Sequence, residues 1–164
     1  MTDVHEDPSA ARLTGFLPDV AATQALGHRL AAVLQPGLTI HLRGHLGAGK
    51  TELVRAILRA LGYPGKVKSP TYTLVEHYVI SSLNLYHFDF YRMNDPHEWV
   101  DAGLRDHFNE GAVCLVEWPE RGGDLLPLPD FIISLEINGL GRNVVIEAIT
   151  GKGNECLRRL REPI

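Results

Sequence analysis

What is scarce in this sequence narrows it first. Its two cysteines, Cys114 and Cys156, have no short metal-type spacing, so neither a disulfide framework nor a thiolate zinc site is expected. Cys114 sits in an apolar run and reads as a small buried hydrophobe. No run approaches the ~18 apolar residues of a membrane helix. The N-terminal "MTDVHEDPSA" is polar and acidic, unlike the apolar centre of an export signal. The expected setting is therefore cytoplasmic and away from membranes. Positive charge is also in short supply. A net charge of -4 excludes a protein that grips nucleic acid through its own basic excess. The basic residues near the C-terminus (Lys152, Arg158, Arg159, Arg161) read as a solvated helix face or tail rather than a binding patch. His5, His28, His41, His77, His97 and His107 show no metal-ligand spacing. Internal repeats and low-complexity tracts are missing.

What is present fits one domain. At 164 residues, with 45% apolar and 22% charged positions, the chain can bury a core without staples. Residues 1–15 read as a flexible N-terminal arm and 16–164 as a single domain. A helix is expected in "PDVAATQALGHRLAAVLQPG", followed by a short strand in "LTIHL". A second helix from Lys50 has apolar residues at 53, 54, 57, 58 and 61 and closes at Gly62. Two strands flank Ser81-Ser82, "DPHEWVDAGLRDHFNEG" reads as a helix, and "GAVCLVEW" reads as a strand covered on both faces. "DFIISLEIN" and "RNVVIEAIT" form a closing hairpin around Gly139–Gly141. The tally is α/β, a central β-sheet flanked by helices.

The segment "HLRGHLGAGKTELVRA" carries the chemistry. Strand, G-x-x-x-x-G-K-T, helix is the phosphate-binding P-loop, here Gly44 to Thr51. Glycines let successive backbone N–H groups of His45, Leu46, Gly47, Ala48 and Gly49 turn inward around an anion. The helix behind them offers its unpaired amides and positive dipole end. Lys50 reaches β- and γ-phosphates, and the Thr51 hydroxyl is a magnesium ligand. Glu52, next in line, places an acid near the triphosphate, where like charge weakens binding.

Magnesium also needs a carboxylate. Glu117 follows "AVCLV" and would project from a strand's C-terminal end, where ligands of open α/β sheets collect. Asp89 in "LYHFDFYR" competes for the role, although Glu117 is the better placed of the two. The alternative for either is an ordinary exposed acid at a strand end. Ser69 and Thr71 in "KSPTY" are placed to sense the γ-phosphate, magnesium or attacking water, or else they only form a turn. Two patterns of guanine-specific proteins are missing: no Asp stands three residues before any glycine, and no Lys-x-Asp occurs.

"GHLGAGKT", "SPTYTLVEHY", "LYHFDFYR" and "VEWPER", in this order and spacing from about residue 20 to residue 148, resemble the TsaE (formerly YjeE) family of bacterial P-loop ATPases. The resemblance implies a P-loop NTPase-like fold that binds ATP with Mg²⁺ and hydrolyses it slowly. It implies action with the TsaB–TsaD pair, which builds threonylcarbamoyladenosine beside the anticodon of ANN-reading tRNAs. Contact with tRNA would fall mainly to those partners. Lys50 and Thr51 carry over as phosphate lysine and metal ligand, Glu117 as the magnesium acid, and Asp89 as a second functional acid. Ser69 and Thr71 match the nucleotide-responsive segment. Trp118 would lie beside the nucleotide, its alternative being a core aromatic. His87, Tyr91 and Arg92 match the motif without an assigned role, and His87 reads most simply as a structural histidine. His45 departs from the family's usual Asp, and Glu52 from a common second Thr. No arginine finger is evident, so a lone chain should be slow, with a partner completing the site or gating release. A small-molecule kinase on the same loop, using Arg92 and Arg121 in a lid, is the rival reading. A nucleotide-dependent interaction module is the third.

Overall fold

In the computed structural model, which describes residues 5–7 and 11–161, twelve regular elements follow one another. They are β1 (His5–Asp7), β2 (Arg12–Leu17), α1 (Val20–Val33), β3 (Thr39–Arg43), α2 (Lys50–Ala60) and β4 (Val75–Ile80). Then come β5 (Leu83–Asp89), α3 (His97–Asp101), β6 (Ala112–Glu117), β7 (Phe131–Asn138), β8 (Gly141–Ala148) and α4 (Gly151–Arg161). All eight strands form one sheet in the order β1-β2-β8-β7-β3-β6-β5-β4. The central four (β7, β3, β6, β5) are parallel, and antiparallel pairs extend the sheet on both sides.

Burial explains why β3 and β6 hold the centre. β6 is buried at every position, as its unbroken apolar run requires. Val113 and Leu115 join the core beneath α1, α2 and α4, while Ala112, Cys114 and Val116 join Phe88, Phe90, Met93 and Trp99 on the opposite face. The alternation along β5 is the same: Leu85 faces the helical core and Phe88 the aromatic one. By that period of two, His87, Asp89 and Glu117 all belong to the face that carries α2.

Local chemistry sets the helix ends. Asp19 caps α1 by accepting from the Ala22 N–H at 2.9 Å, and Leu26, Leu30 and Val33 turn inward. α2 ends as expected at Gly62, whose φ of 91° suits glycine. The Gly62 and Tyr63 amides then close back on the carbonyls of Arg59 and Leu58. The hairpin of β7 and β8 pairs Asn138 with Gly141, as the sequence suggested.

Two expectations change. The single helix anticipated over 95–111 is only α3 followed by a short 3-10 turn, Leu104–His107. Gly103, at φ 77°, breaks the run between them. The boundary of the N-terminal arm, drawn at residue 15, falls inside β2. That strand pairs with β8 and buries Leu13 and Leu17. Of the rest of the arm, residues 1–4 and 8–10 lie outside the described residues. The basic C-terminal residues lie on a solvated helix face, one of the two expected forms: α4 buries Cys156, Leu157 and Leu160 and turns Arg158 and Arg159 outward.

Asp130, only 7% exposed, ties α4 to the sheet. Its carboxylate accepts from the Thr39 amide at 2.8 Å and the Thr150 hydroxyl at 2.6 Å, and Thr150 in turn accepts from the Gly153 amide at 3.2 Å. A Cβ on Gly153 would stand 1.8 Å from the Asp130 carbonyl oxygen. Gly153→Ala therefore trades about 1 kcal/mol of helix propensity against a backbone clash of about 1–3 kcal/mol or more. A net loss is expected, read as a lower urea midpoint than the native chain's.

Candidate functional site

The loop between β3 and α2 is shaped by backbone that side chains other than hydrogen tolerate poorly: φ is 83° at Gly47 and 103° at Gly49. Gly44 adds a steric demand, since a Cβ there would meet the Leu135 carbonyl oxygen at 2.6 Å. Within the loop the Ala48 amide donates to the His45 carbonyl at 3.0 Å. Arg142 of β8 braces the outside, donating from Nε to the Ala48 carbonyl at 3.0 Å and from an Nη to the Gly47 carbonyl at 3.2 Å. Because a trans peptide points its N–H opposite its carbonyl, the Gly49 amide is turned away from Arg142 and toward the cavity. α2 starts at Lys50 with no side-chain cap, which leaves its first-turn amides available to an anion.

Lys50 is 5% exposed. Its ammonium donates to the Gly44 carbonyl and sits 3.9 Å from the centre of the Trp118 ring. Burial lowers its pKa, opposed by the carboxylates of Glu117, Glu120 and Asp89. The Thr51 hydroxyl donates to Glu117 at 3.0 and 3.2 Å to its two oxygens. Nε2 of fully buried His87 lies 2.5 Å from Glu117 Oε2. Those contacts follow from register. β6 sets Glu117 opposite Leu42 on one side and opposite Asp89 on the other.

Asp89 stands at the end of β5. Its Oδ1 accepts from the Tyr91 amide at 2.9 Å and its Oδ2 from the Thr71 hydroxyl at 3.4 Å. Thr71 also shares a 2.7 Å hydrogen bond with the Ser69 hydroxyl. Burial pushes the Asp89 carboxyl above its ordinary range, with the Tyr91 hydrogen bond opposing.

One cavity of about 430 Å³ gathers nearly all the residues expected from the sequence: Leu46 to Glu52, Ser69, Thr71, Asp89, Glu117 and Trp118. His45 is the exception. It is exposed and absent from the lining, and it serves the loop through its carbonyl. The Glu52 carboxylate is engaged by Arg55 at 2.6 Å, which offsets its charge near the loop. Trp118 lines the cavity and also packs against the aromatic core. Tyr91 and Arg92 join the lining. A smaller space of about 260 Å³ adjoins the loop at Gly47 and Gly49, walled by Leu17, Val20, Thr23 and Leu140.

Sequence reasoning left His87 without a role and missed Arg142. His87 holds Glu117, a contact decided by which strands are neighbours. Arg142 reaches the loop across 94 residues of chain, and nothing local marks it.

The family model for "Threonylcarbamoyl adenosine biosynthesis protein TsaE" matches residues 17–144. This chain belongs to the TsaE family. A TsaE relative named tRNA threonylcarbamoyladenosine biosynthesis protein, from Haemophilus influenzae, is 40% identical over 150 residues, covering 88% of this chain and 95% of that one. A Synechocystis protein of the same name is 42% identical over 111 residues, 65% of this chain and 69% of its own. Among solved structures, Bacillus subtilis YdiB superposes with a TM-score of 0.75 at 27% identity, covering 98% of this TsaE chain and 97% of YdiB. The architecture is accordingly the P-loop NTPase-like α/β fold.

The raised pKa of Asp89 has a consequence for stability. A carboxyl whose folded pKa exceeds its unfolded value costs stability above the folded pKa, and the cost disappears below the unfolded one. Asp89→Asn keeps an acceptor for the Tyr91 amide and removes the charge. The variant should exceed the native chain in urea midpoint at pH 7, and the difference should shrink toward pH 4.

Proposed function

We propose that this TsaE chain binds ATP with Mg²⁺ and hydrolyses it slowly, in support of threonylcarbamoyladenosine formation on ANN-reading tRNAs together with a TsaB–TsaD pair. The observation that carries the reading is the convergence of Lys50, Thr51, Glu117, Asp89 and Thr71 on one cavity at the start of an uncapped helix. The names of the relatives support the pathway.

The loop amides and Lys50 would take the β- and γ-phosphates, with the smaller adjoining space open to a base. Thr51 and Glu117 fit magnesium in their chemistry: a hydroxyl and a carboxylate, both hard oxygen donors, already within 3.0 Å of each other. No group of three or more His, Cys, Asp or Glu suited to a metal occurs among the described residues. Bound at Thr51 and Glu117, magnesium would neutralise charge on the phosphates. His87 fixes the orientation of Glu117, and Asp89 with Thr71 would accept hydrogen bonds from, and so orient, the attacking water. Burial lowers the pKa of Lys50, and the three carboxylates around it oppose that shift.

Calorimetry with Mg·ATP tests the binding half. Lys50→Ala should lose affinity by roughly ten- to a hundredfold, the size expected when a hydrogen bond to a charged group is deleted. Glu117→Ala should retain metal-free ATP binding and lose its magnesium dependence; an unchanged magnesium titration in that variant would refute the metal role. Release of phosphate into water, in place of transfer to a panel of metabolites, separates the ATPase from a small-molecule kinase. Mixing with purified TsaB–TsaD should produce a complex and a higher rate.

A further inference from the structure

The charge inventory of the cavity is uneven. Its lining holds three carboxylates, Glu52, Asp89 and Glu117, and two cationic side chains, Lys50 and Arg92. Lys50 is committed to the phosphate loop. Arg92 has no assigned task, and among the described residues its guanidinium has neither a hydrogen bond nor an ion pair. Its one recorded contact is a stack, 4.7 Å from the centre of the Tyr72 ring. Tyr72 is 82% exposed and follows Thr71 directly, on the segment that contributes Ser69 and Thr71 to the cavity.

The backbone around Arg92 is fixed while its side chain is not. The Tyr91 amide is held by Asp89 at 2.9 Å, the Phe90 amide by the Glu117 carbonyl at 3.2 Å, and the Met93 amide by the Phe90 carbonyl at 3.1 Å. Met93 itself is buried. The base of Arg92 is thus anchored to the two strands that deliver the site's acids, and the residue itself lines the cavity. An exposed cation–π stack is worth about 0.5–1 kcal/mol, a weak latch. The other nearby arginines are placed differently. Arg142 is spent on loop carbonyls, and Arg121 lies outside the lining, 5.6 and 5.8 Å from the Tyr91 and Trp118 rings.

We propose that Arg92 is a catalytic arginine supplied in cis, which leaves Tyr72 to place its guanidinium on the γ-phosphoryl oxygens as ATP is hydrolysed. The inference rests on the ATPase reading above. In that step the oxygen of one water bonds to the γ-phosphorus while the bond from that phosphorus to the β–γ bridging oxygen breaks. The bond's electron pair leaves on ADP, and the water's proton is released as orthophosphate forms. Arg92 adds no atom; its N–H groups match charge that grows on the phosphoryl oxygens and departing bridge. Parking on Tyr72 withholds the residue only by what the stack is worth, about two- to fivefold in rate.

The test uses the full chain with Mg·ATP under single-turnover conditions, beside calorimetry with ATP and with ADP plus aluminium fluoride. Arg92→Ala should reduce the hydrolysis rate by about 10²–10³-fold, as loss of one transition-state donor does, leave ATP affinity within threefold, and lose the tight aluminium fluoride complex. Arg92→Lys should recover only part of the rate, since one ammonium cannot reproduce the planar fork. Tyr72→Ala should raise the rate about two- to fivefold by removing the latch. Three outcomes overturn the proposal: an unchanged rate in Arg92→Ala, a loss confined to Arg121→Ala, or equal losses in Arg92→Ala and Tyr72→Ala, which would make the stack a mere strut. A native chain that binds no ATP would remove the ATPase reading itself, an outcome distinct from these.

Discussion

The parallel pairing of β3 with β6 is the constraint on which the site hangs. β3 feeds the phosphate loop, and the register that sets Leu42 against Glu117 delivers a carboxylate to the Thr51 hydroxyl two elements away. A slip of one residue would send Glu117 to the aromatic face with Cys114 and Val116, and the hydroxyl would face an apolar side chain. Apolar burial on both sides of β6 makes that slip prohibitive. The packing of Val113 and Leu115 under the helices therefore specifies the metal-type pair as firmly as any polar contact does.

The same packing sustains a site that is costly by itself. Lys50, His87, Asp89 and Glu117 are all nearly removed from water, and such groups are retained where they serve chemistry. They compensate one another in part. Thr51 and His87 occupy Glu117, while Trp118 and the Gly44 carbonyl receive Lys50. Asp89 has one firm donor and one long one, and Nδ1 of His87 has no hydrogen-bond partner among the described residues. A nucleotide entering the cavity exchanges these internal partners for its own oxygens, so the resting contacts also hold the groups near their working positions.

Much of this was legible in the sequence because its determinants are contiguous. The loop, the helix after it and the hairpin at Gly139 each carry their signal within a dozen residues, and an acid after an unbroken apolar run marked Glu117. Asp89, Ser69 and Thr71 were found by the same local logic, although that logic did not give their order as a hydrogen-bonded chain. What escaped depends on distant pieces meeting. Arg142 braces the loop only because β8 lies beside β7 and β7 beside β3. His87 acquires its partner from strand adjacency, and β2 becomes a strand because β8 offers it an edge. Over 95–111 the apolar spacing suited a helix, yet the left-handed turn at Gly103 let Trp99 and Phe108 pack edge to face instead.

The two indoles of the chain live in opposite surroundings. Trp99 is sealed in the aromatic core with its N–H on the Gly122 carbonyl, whereas half-buried Trp118 carries an ammonium over its ring at the cavity wall. A cation that close perturbs the excited state of one chromophore and leaves the other a constant reference. The protein thus comes with its own optical gauge: a change in emission colour or quenching on adding a ligand would report occupancy of the lysine's neighbourhood without any attached dye.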